Sequence, residues 1–274
     1  MATSPLEAGA YIKVKGINTF YHQAGSGKPV VMIHGSGPGV SAWANWRLIL
    51  PEVSQHFAAY ALDIVGFGKT DKPADCAFTH DDRVNQVINF IEMLGLGRVL
   101  LIGNSMGGSL ALAVAVRRPD LVEKMVLMGS VGVSFPITEG LAEVWGYRPS
   151  LEKMRRLIDL FAWNKALVTD ELAKLRYEAS IQPGYQEAYE RAFPAPLQQH
   201  VEAMSIPEDR IAQLHTPALV IHGREDRIIP LEVGLRIYRL LPNADMHIFG
   251  HCGHWTQIEK TADFTTQVLH FFRS

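Results

Sequence analysis

Short apolar runs alternate with helical patterns along much of this chain, and this alternation restricts its fold more than any other sequence feature. The runs are continuously apolar, which is the pattern of strands that are covered on both faces. Buried strands joined through helices form a parallel sheet, and such sheets bind ligands beyond the carboxyl ends of their strands. The sequence therefore predicts an α/β fold with strands at residues 29–33, 58–62, 99–102, 125–128, 218–221 and 246–249.

Two further patterns extend the predicted sheet domain. Residues 11–14 and 19–23 are rich in aromatic and β-branched residues and predict an opening hairpin. The clearest helix begins after Thr79, an N-cap residue with Asp82 at the third helical position, and it ends at Gly95.

The alternation is interrupted between about residues 130 and 215. Helical patterns occur there at 151–163, 170–178 and 185–193, without a convincing strand. A helical insertion over the sheet explains this arrangement. We therefore expect a core domain of residues 1–129 and 216–274 and a helical cap of residues 130–215.

Segment 103–107 reads Gly-Asn-Ser-Met-Gly and stands between a predicted buried strand and a helix at 109–116 that is rich in alanine and leucine. This order of strand, Gly-x-Ser-x-Gly and helix is typical of a sharp turn that exposes a nucleophilic serine. Gly103 and Gly107 leave out the Cβ atoms that would crowd such a turn. The pattern indicates Ser105 as a nucleophile, and the alternative is a serine that only caps a glycine-rich helix start.

A serine hydroxyl becomes a good nucleophile when a base accepts its proton and an acid orients that base. Asp226 follows the strand predicted at 218–221, and His254 follows the last predicted strand. The chain order is therefore serine, acid, histidine. We predict a catalytic triad of Ser105, Asp226 and His254.

Other side chains compete for the roles of base and acid. His251 is the main alternative base, but the glycine before His254 and the helical segment after it favour the later histidine. Asp63 follows an earlier strand and is a weaker candidate acid, and Glu225 adjoins Asp226. Three histidines at strand ends are expected to be loop or core residues: His22, His34 and His222.

Residues 35–39 read Gly-Ser-Gly-Pro-Gly directly after a predicted strand. The small residues allow the backbone to approach a developing oxyanion, so we expect the N–H groups of Ser36 and Met106 to form the oxyanion hole. A phosphate-binding loop is excluded because no Walker lysine follows and the Gly-x-Gly-x-x-Gly spacing is absent. No His-Glu-x-x-His motif or cluster of cysteine and histidine occurs, so no metal is expected.

Charge and composition restrict the partners. The chain has 26 basic and 28 acidic residues and no block of like charges, which argues against nucleic acid and membrane surfaces and for a small-molecule substrate. Cys76 and Cys252 lie far apart, so we expect no structural disulfide and a reducing compartment. Residues 1–10 lack signal-peptide features and no run approaches the ~18 apolar residues of a membrane span, which favours a soluble cytoplasmic enzyme.

Several stretches of the sequence together resemble one family, and they extend across nearly the whole chain: residues 34–46, 103–108, 144–147, 175–178, 222–226 and 252–255. The motifs most specific to that family are the Ser-Gly-Pro-Gly loop followed by Asn45 and the Gly-His-Trp near the end. On these residues the chain resembles the meta-cleavage product hydrolases. These are α/β-hydrolases of aromatic degradation that cleave a carbon–carbon bond in 2-hydroxy-6-oxohexa-2,4-dienoates. Residues 135–140 and the neighbourhood of Arg176 are similar to the branch that acts on 2-hydroxymuconate semialdehyde.

The resemblance implies a serine hydrolase with the α/β-hydrolase fold, without a cofactor, that assembles as a homo-oligomer of at least two chains. A guanidinium fork suits the carboxylate and enol oxygen of a dienoate substrate. The contacts that the resemblance implies are Ser36, Gly37, Asn45, Asn104, Arg176 and Trp255. For Arg176, helix spacing alone favours a pair with Asp170 or Glu171. The alternatives for the other side chains are loop caps for Asn45 and Asn104 and a core position for Trp255.

The resemblance also shapes what we expect of the reaction. The dienolate is protonated at C5 before Ser105 attacks C6, and a semialdehyde substrate then gives formate. Bulky candidates for the wall around the C6 substituent are Trp145, Met204 and Ile137. Residues 197–200 read Leu-Gln-Gln-His where the family usually has an arginine-rich stretch with tryptophan, which leaves the cap's shape and the substrate range open. The same triad fits a carboxylesterase, and the fold also fits a non-hydrolytic ligand receptor.

Overall fold

The computed structural model describes residues 5–274, and its centre is one eight-stranded sheet. The strand order is β1-β2-β4-β3-β5-β6-β7-β8. β2 pairs antiparallel with both of its neighbours, and all other neighbours are parallel, which confirms the predicted sheet. The strands are β1 (Ala10–Val14), β2 (Ile17–Ala24), β3 (Pro29–Ile33), β4 (Ala58–Leu62), β5 (Val99–Asn104), β6 (Val122–Met128), β7 (Ala218–Gly223) and β8 (Ala244–Phe249).

Helices cover both faces of this sheet. None of them, in residues 5–274, combines the length with the apolar composition that a bilayer-spanning segment requires. The helices are α1 (Pro5–Ala8), α2 (Ala42–Trp46), α3 (Leu50–Val53), α4 (His80–Met93), α5 (Met106–Arg117), α6 (Glu139–Trp145), α7 (Leu151–Phe161), α8 (Asp170–Ser180), α9 (Tyr185–Ala192), α10 (Gln198–Ala203), α11 (Glu208–Ala212), α12 (Leu231–Leu240), α13 (Thr256–Glu259) and α14 (Thr261–Arg273), with a 3₁₀ turn at Lys165–Leu167.

The opening hairpin has a shorter turn than the sequence predicts. Lys15 and Gly16 have φ angles of 46° and 96°. Two successive residues with positive φ are typical of the type I′ turn, whose twist matches that of the flanking strands. The second strand therefore begins at Ile17, directly after the two turn residues, and Val14 pairs with Ile17.

Helix α4 begins with the predicted cap. The Thr79 hydroxyl oxygen accepts a hydrogen bond from the Asp82 N–H at 3.1 Å, and the Asp82 carboxylate accepts one from the Thr79 N–H at 2.9 Å. This reciprocal pair satisfies two backbone donors that a helix start leaves without partners. The helix ends before Gly95, whose φ is 63°.

Alternate residues of the central strands pack into two apolar clusters, one on each face of the sheet. Val31 and Ile33 of β3 pack into the cluster that contains α4 and α5, whereas Val30 and Met32 pack into the cluster that contains α2, α3 and α14. The carboxyl ends of the strands remain at one edge, where the loops after β3, β5, β6, β7 and β8 meet.

Strand β8 is less buried than predicted. It lies at the end of the sheet with β7 as its one neighbour, and Ile248 is 41% exposed. The expectation that its apolar run is covered on both faces is therefore wrong, because strand order, which the run does not encode, places it at an edge.

Helices α6 to α11 lie between β6 and β7, and no strand occurs over residues 129–217. The helical patterns predicted there correspond to α7, α8 and α9. Their buried side chains, such as Leu157 and Tyr189, continue the apolar cluster that includes Val31 and Leu101 of the sheet. Cys76 and Cys252 are both free thiols.

Candidate active site

Ser105 stands on a sharp turn between β5 and α5. Its φ and ψ are 57° and −116°, a backbone conformation that a residue with a side chain rarely adopts. A Cβ atom on Gly103 would lie 2.2 Å from the carbonyl oxygen of Gly107, so the turn requires glycine there. A Cβ on Gly107 would lie 2.2 Å from the carbonyl oxygen of Ile33. Glycine is therefore needed at position 107 because β3 passes close to it, not because of the turn itself.

Asp226 holds the imidazole of His254. His254 Nδ1 lies 2.7 Å from Asp226 Oδ2, and Asp226 Oδ1 accepts hydrogen bonds from the N–H groups of Ile228 and Ile229 at 2.8 and 2.9 Å. Burial alone would raise the pKa of Asp226, but the His254 partner and the backbone donors lower it below its usual value. An ionised carboxylate on Nδ1 leaves Nε2 free to act as a base.

One cavity at the carboxyl ends of the strands contains Ser105 and His254 together. Its volume is about 20 Å³. Every side chain or loop position predicted to contact substrate also lines it, namely Ser36, Gly37, Asn45, Asn104, Arg176 and Trp255.

The loop after β3 lies against the nucleophile. A Cβ atom built on Gly35 would be 3.1 Å from Cβ of Ser105, so the two backbones are close at this point. Met106 is the first residue of α5, and the first N–H groups of a helix have no partner within it. Ser36 and Met106 are thus chain neighbours of residues at this close approach, and the role of their N–H groups as oxyanion donors stays a prediction.

Ser36 is fixed from two sides by the helical insertion. Trp145 Nε1 donates to Ser36 Oγ at 2.9 Å, and the Tyr189 hydroxyl lies between the carbonyl oxygens of Val144 and Ser36, at 2.7 and 3.0 Å. Because Ser36 Oγ already accepts a hydrogen bond, its own proton remains available to donate to a substrate oxygen.

Arg176 contributes a positive charge without a counterion. Its guanidinium carbon lies 5.8 Å from the centre of the Trp255 ring, and it forms no ion pair within residues 5–274. Asp170, the partner that helix spacing favours, is paired instead with Arg155 of α7. Burial and the nearby charge of Arg47 lower the pKa of Arg176 to about 10, so it stays protonated at neutral pH.

Two amides face the same cavity. Asn45 is 8% exposed and its Nδ2 has no hydrogen-bond partner among the described residues. Asn104 Nδ2 is 3.4 Å from the carbonyl oxygen of Met128, a long hydrogen bond. An unpartnered buried donor costs free energy unless an acceptor satisfies it, and of these two amides this applies to Asn45.

The wall of the cavity differs from the prediction. Trp145, Met204 and Ile137 are absent from its lining. The Trp145 ring stacks on Phe193 at 5.1 Å and turns its N–H to Ser36, and the Met204 carbonyl accepts from Ser109. The apolar lining comes instead from Val40, Leu141, Val144, Phe161 and Ile228.

The competing histidines and acids have other roles. His251 is exposed and stacks on Trp163 at 6.1 Å. Glu225 pairs with Arg224, and Asp63 accepts hydrogen bonds from the N–H groups of Ala42 and Lys69. The three histidines at strand ends are buried, as expected: His22, His34 and His222.

Gly129 and Phe161 contact the His254–Asp226 pair and were not predicted from the sequence. A Cβ atom on Gly129 would lie 3.1 Å from His254 Nδ1 and 3.3 Å from Asp226 Oδ2. The carbonyl oxygen of Phe161 accepts from the His254 N–H at 2.8 Å. Gly129 directly follows a predicted buried strand, a position at the functional edge that could have identified it. Nothing in the sequence around Phe161 indicates its contact.

Within residues 5–274, no three histidine, cysteine or acidic side chains come together as a metal would require.

His34 supports the oxyanion loop as a neutral ring. Its Nε2 accepts from the Ile64 N–H at 3.0 Å, so Nδ1 carries the proton and donates to the Gly35 carbonyl oxygen at 2.7 Å. Burial, with smaller effects from Arg83 and Arg176, lowers the pKa of His34 from 6.5 to about 4.

A pH dependence of stability follows from this shift. Protonation favours the unfolded chain, so the free energy of unfolding should fall as the pH drops from 6.5 to about 4. The loss at pH 4 is about 3 kcal/mol for this histidine. His34→Gln keeps a donor and an acceptor, and urea unfolding across this range should show a shallower pH dependence for the variant. An equal dependence of the unfolding free energy on pH in the native protein and in His34→Gln would contradict a lowered pKa for His34.

Comparison with known proteins agrees with the fold. Residues 28–261 match the family model described as alpha/beta hydrolase fold. The chain is 50% identical over 265 residues to the 2-hydroxymuconate semialdehyde hydrolase of Pseudomonas sp. strain CF600, covering 97% of this chain and 94% of that protein. It is 48% identical over 265 residues to the 2-hydroxy-6-oxo-2,4-heptadienoate hydrolase of Pseudomonas putida F1, covering 97% and 96%. The crystal structure of a meta-cleavage product hydrolase from Pseudomonas fluorescens IP01 superposes with a TM-score of 0.96 at 49% identity, covering 97% of each chain.

Proposed function

Because this chain belongs to the α/β-hydrolase fold family and, within it, to the meta-cleavage product hydrolases, we propose that it hydrolyses the C5–C6 bond of a 2-hydroxy-6-oxohexa-2,4-dienoate. One observation carries the proposal: the unpaired guanidinium of Arg176 lines the same cavity as Ser105 and the His254–Asp226 pair. An ordinary ester needs the serine and the histidine. A dienoate also needs a cation for its carboxylate.

The substrate lies with its acid end toward the cap. Arg176 binds the carboxylate and the C2 oxygen as a fork, because two parallel hydrogen bonds fix that end better than a point charge does. The unpartnered Nδ2 of Asn45 and the hydroxyl proton of Ser36 donate to the dienolate oxygens. C6 then lies near Ser105, with its substituent against Leu141 and Ile228.

Bond cleavage requires an electron acceptor. The dienolate first gains a proton at C5, delivered with the help of the His254–Ser105 pair, and this forms the C2 ketone conjugated to the C3–C4 double bond. Ser105 then attacks the C6 carbonyl while His254 accepts its proton, and the N–H groups of Ser36 and Met106 stabilise the oxyanion.

The second half of the reaction releases both products. The C5–C6 electron pair moves through the C3–C4 double bond onto the C2 oxygen. The proton that His254 accepted from Ser105 passes to that oxygen, which yields 2-hydroxypenta-2,4-dienoate and leaves His254 neutral. Water, activated by His254, then attacks the acyl group on Ser105 and releases the carboxylic acid. Asp226 stays ionised throughout and stabilises the imidazolium.

The apolar wall favours a small C6 substituent. The side chains of Leu141, Phe161 and Ile228 line the cavity together with Ser105 and His254. Relatives named for a semialdehyde and for a heptadienoate correspond to hydrogen and methyl at C6. We therefore propose 2-hydroxymuconate semialdehyde, which gives formate, as the preferred substrate.

A substituent series tests this preference. We expect kcat/KM for hydrogen and methyl at C6 to exceed that for phenyl by about 10²-fold, because a tight apolar pocket excludes the larger group. The matched variant Ile228→Ala enlarges the wall and should raise kcat/KM for the phenyl substrate by about tenfold. The preference is refuted if the native protein accepts phenyl as readily as hydrogen.

Three expectations accompany the reaction. We propose that residues 130–215 form a cap, supported by the position of Leu141, Phe161 and Arg176 in the lining beside core residues. A homo-oligomer stays a prediction, and light scattering in solution tests it. The cytoplasmic location also stays a prediction.

A further inference from the structure

His222 is a fully buried histidine beside the catalytic acid that the proposed reaction does not use. It belongs to β7 and precedes Asp226 by four residues. Its Nε2 lies 2.9 Å from the carbonyl oxygen of Ile229 and 3.5 Å from Asp226 Oδ2. The ring is absent from the lining of the cavity that contains Ser105. Any part that His222 takes in catalysis must therefore act through another residue.

The surroundings of the His222 ring determine where its proton lies. The Ile229 carbonyl oxygen can only accept, so Nε2 carries the proton and donates it to that oxygen. Nδ1 has no hydrogen-bond partner within residues 5–274, and a Cβ atom built on Gly234 of α12 would lie 2.5 Å from it. A second proton on Nδ1 would be a buried donor without an acceptor, which costs free energy.

The charged groups around His222 do not reverse this conclusion. Asp226 and Glu232 favour the protonated ring, whereas His254 opposes it. Burial has the largest effect and lowers the pKa of His222 below its usual value. At neutral pH His222 is therefore a neutral ring whose one N–H faces the Ile229 carbonyl and the Asp226 carboxylate.

Ile229 connects this ring to the catalytic acid. The Ile229 N–H donates to Asp226 Oδ1 at 2.9 Å, and the Ile229 carbonyl oxygen accepts from His222. The ring of a central strand thus holds the backbone that orients the carboxylate. The same N–H lies on the side of Asp226 Oδ2, which is the oxygen that His254 Nδ1 contacts at 2.7 Å.

We propose that His222 is a positioning residue, whose neutral Nε2–H holds the turn at residues 226–229 so that the Asp226 carboxylate stays directed at His254. His254 becomes an imidazolium each time it accepts the proton of Ser105, and a misaligned carboxylate stabilises that cation less. The inference rests on the proposed function for the roles of Ser105, Asp226 and His254. Ester hydrolysis uses the same three residues, so it can be tested without the dienoate.

Turnover of p-nitrophenyl acetate and of the dienoate by His222→Phe and His222→Gln tests the proposal. Phenylalanine keeps a ring but removes the donor, and we expect kcat and kcat/KM to fall equally, by about 10- to 10²-fold, on both substrates. Glutamine keeps an N–H donor and should recover kcat to within about fivefold of the native value. Active sites are counted by complete labelling of Ser105 with a fluorophosphonate, so unfolded protein does not lower the measured kcat.

His80→Phe is the matched control. His80 lies on α4 with its Nε2 3.0 Å from Ser109 Oγ, and it is absent from the lining of the Ser105 cavity. The same substitution of a neutral histidine should there leave kcat per labelled site unchanged on both substrates.

Gly234→Ala tests the same contact from α12 and decides the question if His222→Phe does not fold. The added methyl group would press on Nδ1 of the His222 ring, although Gly234 is absent from the lining of the Ser105 cavity. We expect kcat per labelled site to fall by about fivefold on both substrates.

Three results would overturn the proposal: a native kcat per labelled site in His222→Phe, a His222→Gln variant no more active than His222→Phe, or, where the phenylalanine variant does not fold, a native kcat in Gly234→Ala. A native protein that hydrolyses the ester but not the dienoate would refute the proposed function alone, and the ester measurements would still decide the role of His222.

Discussion

Replacing Ser105 with alanine should lower kcat for the dienoate by at least about 10⁴-fold while leaving its binding intact, because a lost nucleophile cannot be replaced by the oxyanion donors. The turn that presents the residue is held by glycines on both sides and by the neighbouring strand, so alanine fits without a new contact. Stopped-flow absorbance of the dienoate measures binding, and acid release measures turnover.

Ser109→Ala is the matched control for this experiment. Ser109 lies one turn further along α5, is also buried and donates to the Met204 carbonyl oxygen, away from the cavity that contains Ser105. The control should retain activity. Acid release from Ser105→Ala at a rate near that of the native protein would exclude Ser105 as the nucleophile.

Arg176→Gln should separate a dienoate hydrolase from an esterase. We expect kcat/KM for the dienoate to fall by about 10²–10³-fold, since a buried carboxylate loses its charged, bidentate partner. Turnover of p-nitrophenyl acetate uses Ser105, His254 and the oxyanion donors but has no carboxylate to bind, so it should change little. Steady-state kinetics on both substrates provide the comparison.

Arg155→Gln provides the control for Arg176→Gln. Arg155 lies on α7 at the surface and pairs with Asp170, so its loss removes one arginine of the insertion without touching the Ser105 cavity. Equal losses on dienoate and ester in Arg176→Gln would indicate a role in folding alone. Such a result would favour a carboxylesterase. Tight binding of the dienoate without multiple turnover would favour a ligand receptor.

The parts of the site that depend on strand ends could be predicted from the sequence. Ser105, Asp226 and His254 each follow an apolar run that forms a parallel strand, and the carboxyl ends of parallel strands meet at one edge, so their proximity follows from topology. Gly103 and Gly107 could also be predicted from the motif. Glycine is needed at position 107, however, because the backbone of β3 passes close to it.

The parts that depend on contacts between distant helices could not be predicted from residue patterns. Helix spacing pairs Arg176 with Asp170, and the structure instead gives that acid to Arg155 of another helix, which leaves Arg176 free. The prediction of the side chains around the C6 substituent was wrong for the same reason, because none of the three candidates lines the cavity. Trp145 is large enough to form a wall, but its N–H donates to Ser36 and its ring stacks on Phe193.

A crystal structure of Ser105→Ala with the 6-methyl dienoate bound is the most direct test of how this site works. The account predicts the C6 carbonyl carbon beside the new methyl group at position 105, its oxygen facing the N–H groups of Ser36 and Met106, and the carboxylate on the Arg176 guanidinium. A dienoate bound in the opposite direction, with its carboxylate at position 105 and C6 toward Arg176, would contradict it.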